Sequence, residues 1–253
     1  MSKTYKKKDV AAHYDAARAM PEESLALWME KLRGLVPVKA VKRVLDLGGG
    51  TGRFAGGLLK TYKCPVTVVD PSEEMLEQGK SRVHGDVQWV YSSAENLPFK
   101  DGSFDLVWMS QVFHHLENKA AAFREVYRVL APEGYFAVRN GTLENDEVLT
   151  WMELFPEAKE IENEKIPHHA DIINAVCANR FTLAKDLTVL QRFTSSYKEY
   201  YERISQRGLS VLISISDDAF NRGLVKFKEW TEKQPQDQPV YEPVDMFIFR
   251  KKI

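Results

Sequence analysis

The residues of this chain best suited to chemistry stand in one short run, Asp46-Leu47-Gly48-Gly49-Gly50-Thr51-Gly52, at the end of an apolar stretch. Glycines at a strand-to-helix turn let backbone approach a ligand closely. Gly50, Gly52 and Ala55 fit G-x-G-x-x-A, and Asp70 follows Gly50 by 20 residues, a spacing that suits a dinucleotide site and hence a nicotinamide or flavin enzyme. Asp46 argues against that choice. A carboxylate at the mouth of the turn would face a pyrophosphate with like charge in a poorly solvated place, whereas it suits an ammonium.

An ammonium, no phosphate, and a ribose with two free hydroxyls are what S-adenosylmethionine (SAM) offers. Asp70, at the end of a second apolar run, can accept from both hydroxyls. A second candidate group is His114-His115, because an imidazole near neutrality can act as base on a substrate hydroxyl or ammonium. Adjacent side chains point in different directions, so at most one of the two enters a pocket. His168-His169 reads as a helix-start pair, and without further Cys or carboxylate spacing it is no metal motif.

These residues need a scaffold, and alternating short apolar runs and helical periods supply one. Strands are expected at Val41 to Leu47, Val66 to Asp70, Val87 to Tyr91, Phe104 to Met109 and Tyr135 to Arg139. Helices are expected at Pro21 to Val36, Arg53 to Tyr62, after Pro71-Ser72 with Glu73 and Glu74 in the first turn, and over Phe123 to Leu130. Strand–helix units in this order predict an α/β fold, a doubly wound, mostly parallel seven-stranded sheet with an antiparallel last strand and a helical cap. Beyond residue 140 the pattern predicts helices at about 144–155 and 168–179, a strand at Leu187 to Phe193, helical segments from Tyr197 to Trp230 and a last strand at Met246 to Phe249. The expected organisation is a helical leader over 1–37 and one domain over 38–253, with cap insertions within about 144–180 and 196–235.

Composition narrows the classes. The 253 residues are 44% hydrophobic, enough for a large core, and 35 Lys+Arg against 36 Asp+Glu leave a formal net charge of -1. No global field then draws the chain to nucleic acid or to an acidic membrane. Two cysteines, Cys64 and Cys177, exclude a disulfide framework and fit a reducing compartment. With neither an apolar leader nor a run long enough to span a bilayer, the sequence reads as cytoplasmic.

Four motifs carry a family resemblance. They are Val44-Leu45-Asp46-Leu47-Gly48-Gly49-Gly50-Thr51-Gly52, Val68-Val69-Asp70-Pro71-Ser72-Glu73-Glu74-Met75-Leu76, Ala94-Glu95-Asn96-Leu97-Pro98-Phe99, and Phe104-Asp105-Leu106-Val107 running on to His114-His115-Leu116. A fifth stretch, Glu125 to Gly134, resembles the family's approach to its fifth strand. With them the chain resembles the class I SAM-dependent methyltransferases of the ubiquinone/menaquinone-biosynthesis branch. The resemblance implies that Asp46, Gly48, Gly50 and Gly52 hold the methionine part of SAM, that Asp70 binds the ribose, and that Pro71, Met75 and Ala94 border the adenine. It adds Ser110 and Gln111 after the fourth strand, and Tyr14, in a leader segment that closes over the cofactor in related enzymes. Where the family often has Asp before Ala94 this chain has Ser93, which leaves the adenine amino group to Ser93 or Glu95.

The implied reaction is a direct displacement, in which an O, N, S or C nucleophile of a small-molecule acceptor attacks the sulfonium methyl in line. Alignment matters most in such chemistry, and a base at His114 or His115 becomes valuable when the nucleophile is a hydroxyl. The rival readings are a nucleotide-cofactor oxidoreductase on the same sheet and a SAM-binding module without transfer.

Overall fold

Three apolar runs, Val44–Leu47 (β1), Val66–Asp70 (β2) and Phe104–Ser110 (β4), are buried almost throughout, as strands of a parallel sheet covered on both faces must be. The computed structural model describes residues 20–146 and 151–252. With Val87–Tyr91 (β3), Leu130–Asn140 (β5), Phe181–Thr194 (β6) and Val240–Lys251 (β7) they form one seven-stranded sheet in the order β3-β2-β1-β4-β5-β7-β6. Pairs β1–β2, β2–β3, β1–β4 and β4–β5 are parallel, and β5–β7 is antiparallel. The expected α/β, mostly parallel seven-stranded sheet with an antiparallel last strand is the observed one. The chain winds outward from β1 to β3 and restarts at β4 on the other side of β1, so the switch point lies between β1 and β4.

Helix α1 (Glu22–Leu35) buries Trp28 and Leu32 completely, and α2 (Ala55–Tyr62) follows the glycine turn. Helix α3 (Glu73–Arg82) is capped by Ser72, whose hydroxyl oxygen accepts from the Met75 N–H, and α4 (Lys119–Val129) is capped by Asn118, whose side-chain oxygen accepts from the Ala121 N–H. The Pro132–Gly134 turn lies within β5, because the strand begins at Leu130, and its pairing with β4 slips between Phe104 and Leu106.

Chain contacts divide the described residues into two units. The first holds residues 25–142, 167–189 and 244–252. Its main core gathers Leu47, Met109, Phe123, Phe136, Val138 and Phe247, with Ile172 and Val176 from α6 (His169–Cys177). The helix expected at 168–179 packs on the sheet core. The apolar face of α1 belongs to the same unit from Leu25 onward.

The second unit comprises residues 20–24, 143–146, 151–166 and 190–243. It has its own core of Trp151, Phe155, Tyr200, Leu212, Phe220 and Phe227, supplied by α5 (Pro156–Lys165), α7 (Tyr197–Ser205), α8 (Ser210–Ser214) and α9 (Asp217–Glu232) with their flanking turns. In place of one helix over 144–155 the structure has a helical turn at Leu143–Asp146 and a 3-10 turn at Met152–Leu154, and α5 starts afresh at Pro156. Proline disfavours helical backbone in the residue before it and suits the first helical turn, which is why the break falls there. Gly223 lets α9 lie against Phe155, since a Cβ at this position would fall 2.3 Å from the ring.

Candidate functional site

The turn after β1 sits at the switch point, at the carboxyl ends of the strands. Gly48, Gly50 and Gly52 all have positive φ, at 68°, 55° and 72°. At Gly52 the requirement is double, for a side chain there would be strained and its Cβ would lie 2.4 Å from the Trp89 ring. Gly49 serves a different purpose. A Cβ on it would stand 2.8 Å from Asp46 Oδ2, so glycine keeps that carboxylate oxygen clear.

Asp46 is 2% exposed, and its Oδ2 has no hydrogen-bond partner among the described residues. Burial, and then the neighbouring charge of Asp70, push its carboxyl up to about 7. A buried oxygen without a donor costs about 1–3 kcal/mol, more when charged, so the site asks for a donor and prefers a cation. Asp70 is placed differently. Its Oδ1 accepts from Ser72 N–H at 2.9 Å and its Oδ2 from Gly50 N–H at 3.0 Å, tying the glycine turn to the start of α3. Burial raises the Asp70 carboxyl and these two bonds pull it back. Each oxygen keeps a lone pair beyond the bond it makes, enough for a pair of hydroxyls.

Pro71 and Met75 are half-buried beside Asp70, and Ala94 is buried. The Ser92 N–H donates to the Asp70 carbonyl at 3.3 Å, which brings the segment carrying Ser93 alongside the end of β2. Ser93 is half-buried, with its carbonyl accepting from Asn96 N–H. Half-buried Glu95 accepts from the Asn118 N–H at 3.4 Å. Tyr14 lies outside the described residues.

Ser110 ends β4 and Gln111 follows it. Gln111 has φ 58°, unusual for a residue with a side chain, and such strain gathers at functional turns. Its N–H donates to Arg139 O at 2.8 Å and its Oε1 accepts from Gly141 N–H at 3.2 Å, strapping the ends of β4 and β5 together. The Ser110 hydroxyl oxygen accepts from Arg139 Nη1 at 3.2 Å. The guanidinium of Arg139, 2% exposed, lies 4.6 Å from the ring centre of Trp28 and 5.6 Å from that of Phe54. Sequence reasoning passed over Arg139 and Asn140. Their only local signal is polarity at the end of an otherwise apolar strand.

His114 and His115 share a 3-10 turn, Phe113–His115, with ring centres 4.1 Å apart and tilted by 49°. Phe113 is buried, His114 half-buried and His115 exposed, and the two imidazoles lie against each other instead of pointing apart. His168 and His169 open α6. The N–H of His168 donates to Asp171, while His169 pairs with Asp186 at 3.2 Å. Trp151 and Tyr200 belong to the aromatic core of the second unit, Tyr200 meeting Phe227 at 5.1 Å between ring centres. Among the described residues no helix is long and apolar enough to cross a membrane, and no three His, Cys, Asp or Glu side chains form a metal-holding group.

Comparison with known proteins agrees with this geometry. Residues 45–138 match a family model described as a methyltransferase domain. The ubiquinone/menaquinone biosynthesis C-methyltransferase of Rubrivivax gelatinosus is 38% identical over 128 residues, 50% of this chain and 51% of that protein. Its counterpart in Ectopseudomonas oleovorans is 35% identical over 133 residues, 49% of this chain and 78% of that protein. The match spans about half the length of the first relatives, and it covers the sheet from β1 to β5. A Haemonchus contortus N-methyltransferase solved with phosphomonomethylethanolamine and S-adenosylhomocysteine shares the fold with a TM-score of 0.63, at 20% identity, over 99% of this chain and 58% of that one.

Proposed function

The chain belongs to the class I SAM-dependent methyltransferases of the ubiquinone/menaquinone-biosynthesis type, and on that premise we propose that it transfers the methyl of SAM to a small-molecule acceptor by direct in-line displacement. When bound, SAM supplies a methyl on a positively charged sulfur, which an O, N, S or C nucleophile can take. The observation that carries the reading is the donorless, buried Oδ2 of Asp46. An ammonium satisfies it, and a pyrophosphate would be repelled, which is why a nucleotide-cofactor oxidoreductase fits this turn poorly.

In this reading Asp46 holds the ammonium of the methionine moiety, while Gly48, Gly50 and Gly52 bring backbone to it. Asp70 accepts from the ribose hydroxyls without giving up its bonds to Gly50 and Ser72, so cofactor and turn are ordered together. Pro71, Met75 and Ala94 border the adenine, whose amino group falls to Ser93 or Glu95. Ser110 and Gln111 shape the methionine side, and Tyr14 joins the set from the leader. His114, half-buried in its turn, is the better placed of the two histidines to act as base, and a base matters only for a hydroxyl acceptor. Proximity and alignment can supply roughly 7–11 kcal/mol, so transfer does not depend on it.

The second unit is proposed to select the acceptor, since residues 143–166 and 190–243 lie outside the stretch that the family model matches. A cytoplasmic location rests on the low cysteine count. The reading is tested by incubating the protein with labelled SAM and candidate acceptors and measuring S-adenosylhomocysteine. Release that depends on an acceptor supports transfer, and tight SAM binding without release with any acceptor favours a binding module.

A further inference from the structure

A second buried oxygen lacks a donor at the same edge of the sheet. Asn140, the last residue of β5, is 1% exposed, and its Oδ1 has no hydrogen-bond partner among the described residues. Its amide orientation is fixed, for Nδ2 donates to the Gly141 carbonyl at 2.7 Å, and a flipped amide would set two oxygens against each other. The strand registers align Asp46 with Trp108 and Trp108 with Ala137, so Asn140 stands three residues further toward the carboxyl edge, level with the glycine turn. It lies two strands from β1, about 10 Å at the usual spacing.

Two neighbours of Asn140, Asp245 and the Gly141 N–H, are already satisfied. Asp245, its register partner on β7, is 1% exposed and accepts from Thr142 Oγ1 at 2.6 Å and from Thr188 Oγ1 at 2.7 Å. Gln111 occupies the Gly141 N–H. The bond to the Gly141 carbonyl thus holds the Asn140 amide in place while its oxygen has no donor among the described residues, the same signature that marks Asp46. With Asp46 on β1 at the methionine ammonium and Asp70 on β2 at the ribose, as proposed above, the β5 side is left for whatever receives the methyl.

We propose that Asn140 is a binding residue for the methyl acceptor: its carboxamide oxygen takes a hydrogen bond from an O–H or N–H of the acceptor and orients the nucleophile toward the cofactor. This rests on the methyltransferase reading above and narrows the substrate class to acceptors that bear such a donor. The amide is no base, so its part is orientation.

The test uses the full chain saturated with S-adenosylhomocysteine and titrated by ligand-observed NMR with three probes: phenol as hydroxyl donor, its methyl ether anisole as the donorless control, and benzylammonium. Phenol is expected to bind wild type at least tenfold more tightly than anisole, and Asn140→Leu to lose that preference while its SAM affinity stays within twofold of wild type. Asn140→Asp keeps an oxygen acceptor and adds charge, so it should retain phenol and bind benzylammonium at least tenfold more tightly than wild type. The proposal is overturned if wild type binds no phenol or fails to distinguish it from anisole. It is equally overturned if Asn140→Leu keeps the preference or loses SAM in parallel. Should Asn140→Leu not fold, the benzylammonium gain in Asn140→Asp decides alone, and its absence overturns the proposal. Failure of wild type to bind S-adenosylhomocysteine would instead strike the underlying reading, and the same probe titrations, run on the free protein, still decide the role of Asn140.

Discussion

Replacing Asp46 by Asn should make the cofactor-free protein more stable and the enzyme worse. The unfolded carboxyl titrates near 3.8 and the folded one near 7, because burial and the charge of Asp70 resist ionisation. Below pH 3.8 both states hold the proton and nothing is lost. Between the two values the unfolded chain ionises first, so stability falls as pH rises, and above 7 the whole penalty is present. At 1.36 kcal/mol per unit this amounts to about 2 kcal/mol at pH 5 and about 4 kcal/mol at pH 8. Asn keeps the shape without the charge, and any fixed cost of its amide cancels between the two conditions. The stability advantage of Asp46→Asn over wild type should therefore grow from pH 5 to pH 8 by about 5–10 °C in melting temperature for a chain of this size.

Cofactor affinity should move the other way. The ammonium needs ionised Asp46, so wild-type SAM affinity should fall by up to tenfold per unit below pH 7, and it should fall again above about pH 8 as the α-amino group loses its proton. Asp46→Asn should lack the acidic limb and bind SAM about 10- to 150-fold more weakly at pH 7.5, the loss of a charge-assisted bond of about 1.5–3 kcal/mol. Differential scanning fluorimetry and calorimetric titration from pH 5 to 9 check both halves. A pH-independent stability difference, or an unchanged acidic limb in the variant, would refute the assignment of this carboxyl.

Asp70→Ala should also weaken SAM about 10- to 150-fold by calorimetry, with Asp70→Asn between it and wild type, and Ala should cost about 1–3 kcal/mol of stability because the Gly50 and Ser72 N–H groups lose their acceptor. Gly223→Ala forces a methyl onto the Phe155 ring and should destabilise by about 1–3 kcal/mol in urea unfolding, with SAM affinity unchanged in the folded fraction. Arg128 donates to Glu125, to Asp101 and to the Leu97 and Phe99 carbonyls, so Arg128→Lys, which cannot reproduce that fork, should lower the unfolding midpoint measurably even though charge is retained.

The parts of the fold that read from sequence are those whose cause is local. Strands β1, β2 and β4 are buried on both faces and so appear as unbroken apolar runs, and the glycine turn and the Ser72 cap are each set within a few residues. The outer strand β6 was expected only from Leu187 because its first half alternates, with Lys185 exposed and Asp186 turned to His169. Helix α5 is not legible in the sequence because its Glu- and Lys-rich stretch fully buries only Ala158. At the site, Asp46 and Asp70 were legible from type and spacing. The polar cluster beside Asn140 was not, since Asp245 joins Thr188 and Thr142 across 57 and 103 residues and no local pattern encodes that. The strap at Gln111 is illegible for the same reason, as its partners are Arg139 on β5 and Gly141 just after that strand.

The most direct measurement is a calorimetric titration of the purified chain at pH 7.5 with SAM and, separately, with NADH. A buried carboxylate at the mouth of the glycine turn predicts SAM binding at least tenfold tighter than NADH, a difference of about 1.4 kcal/mol or more. Equal affinities, or tighter NADH, would contradict it.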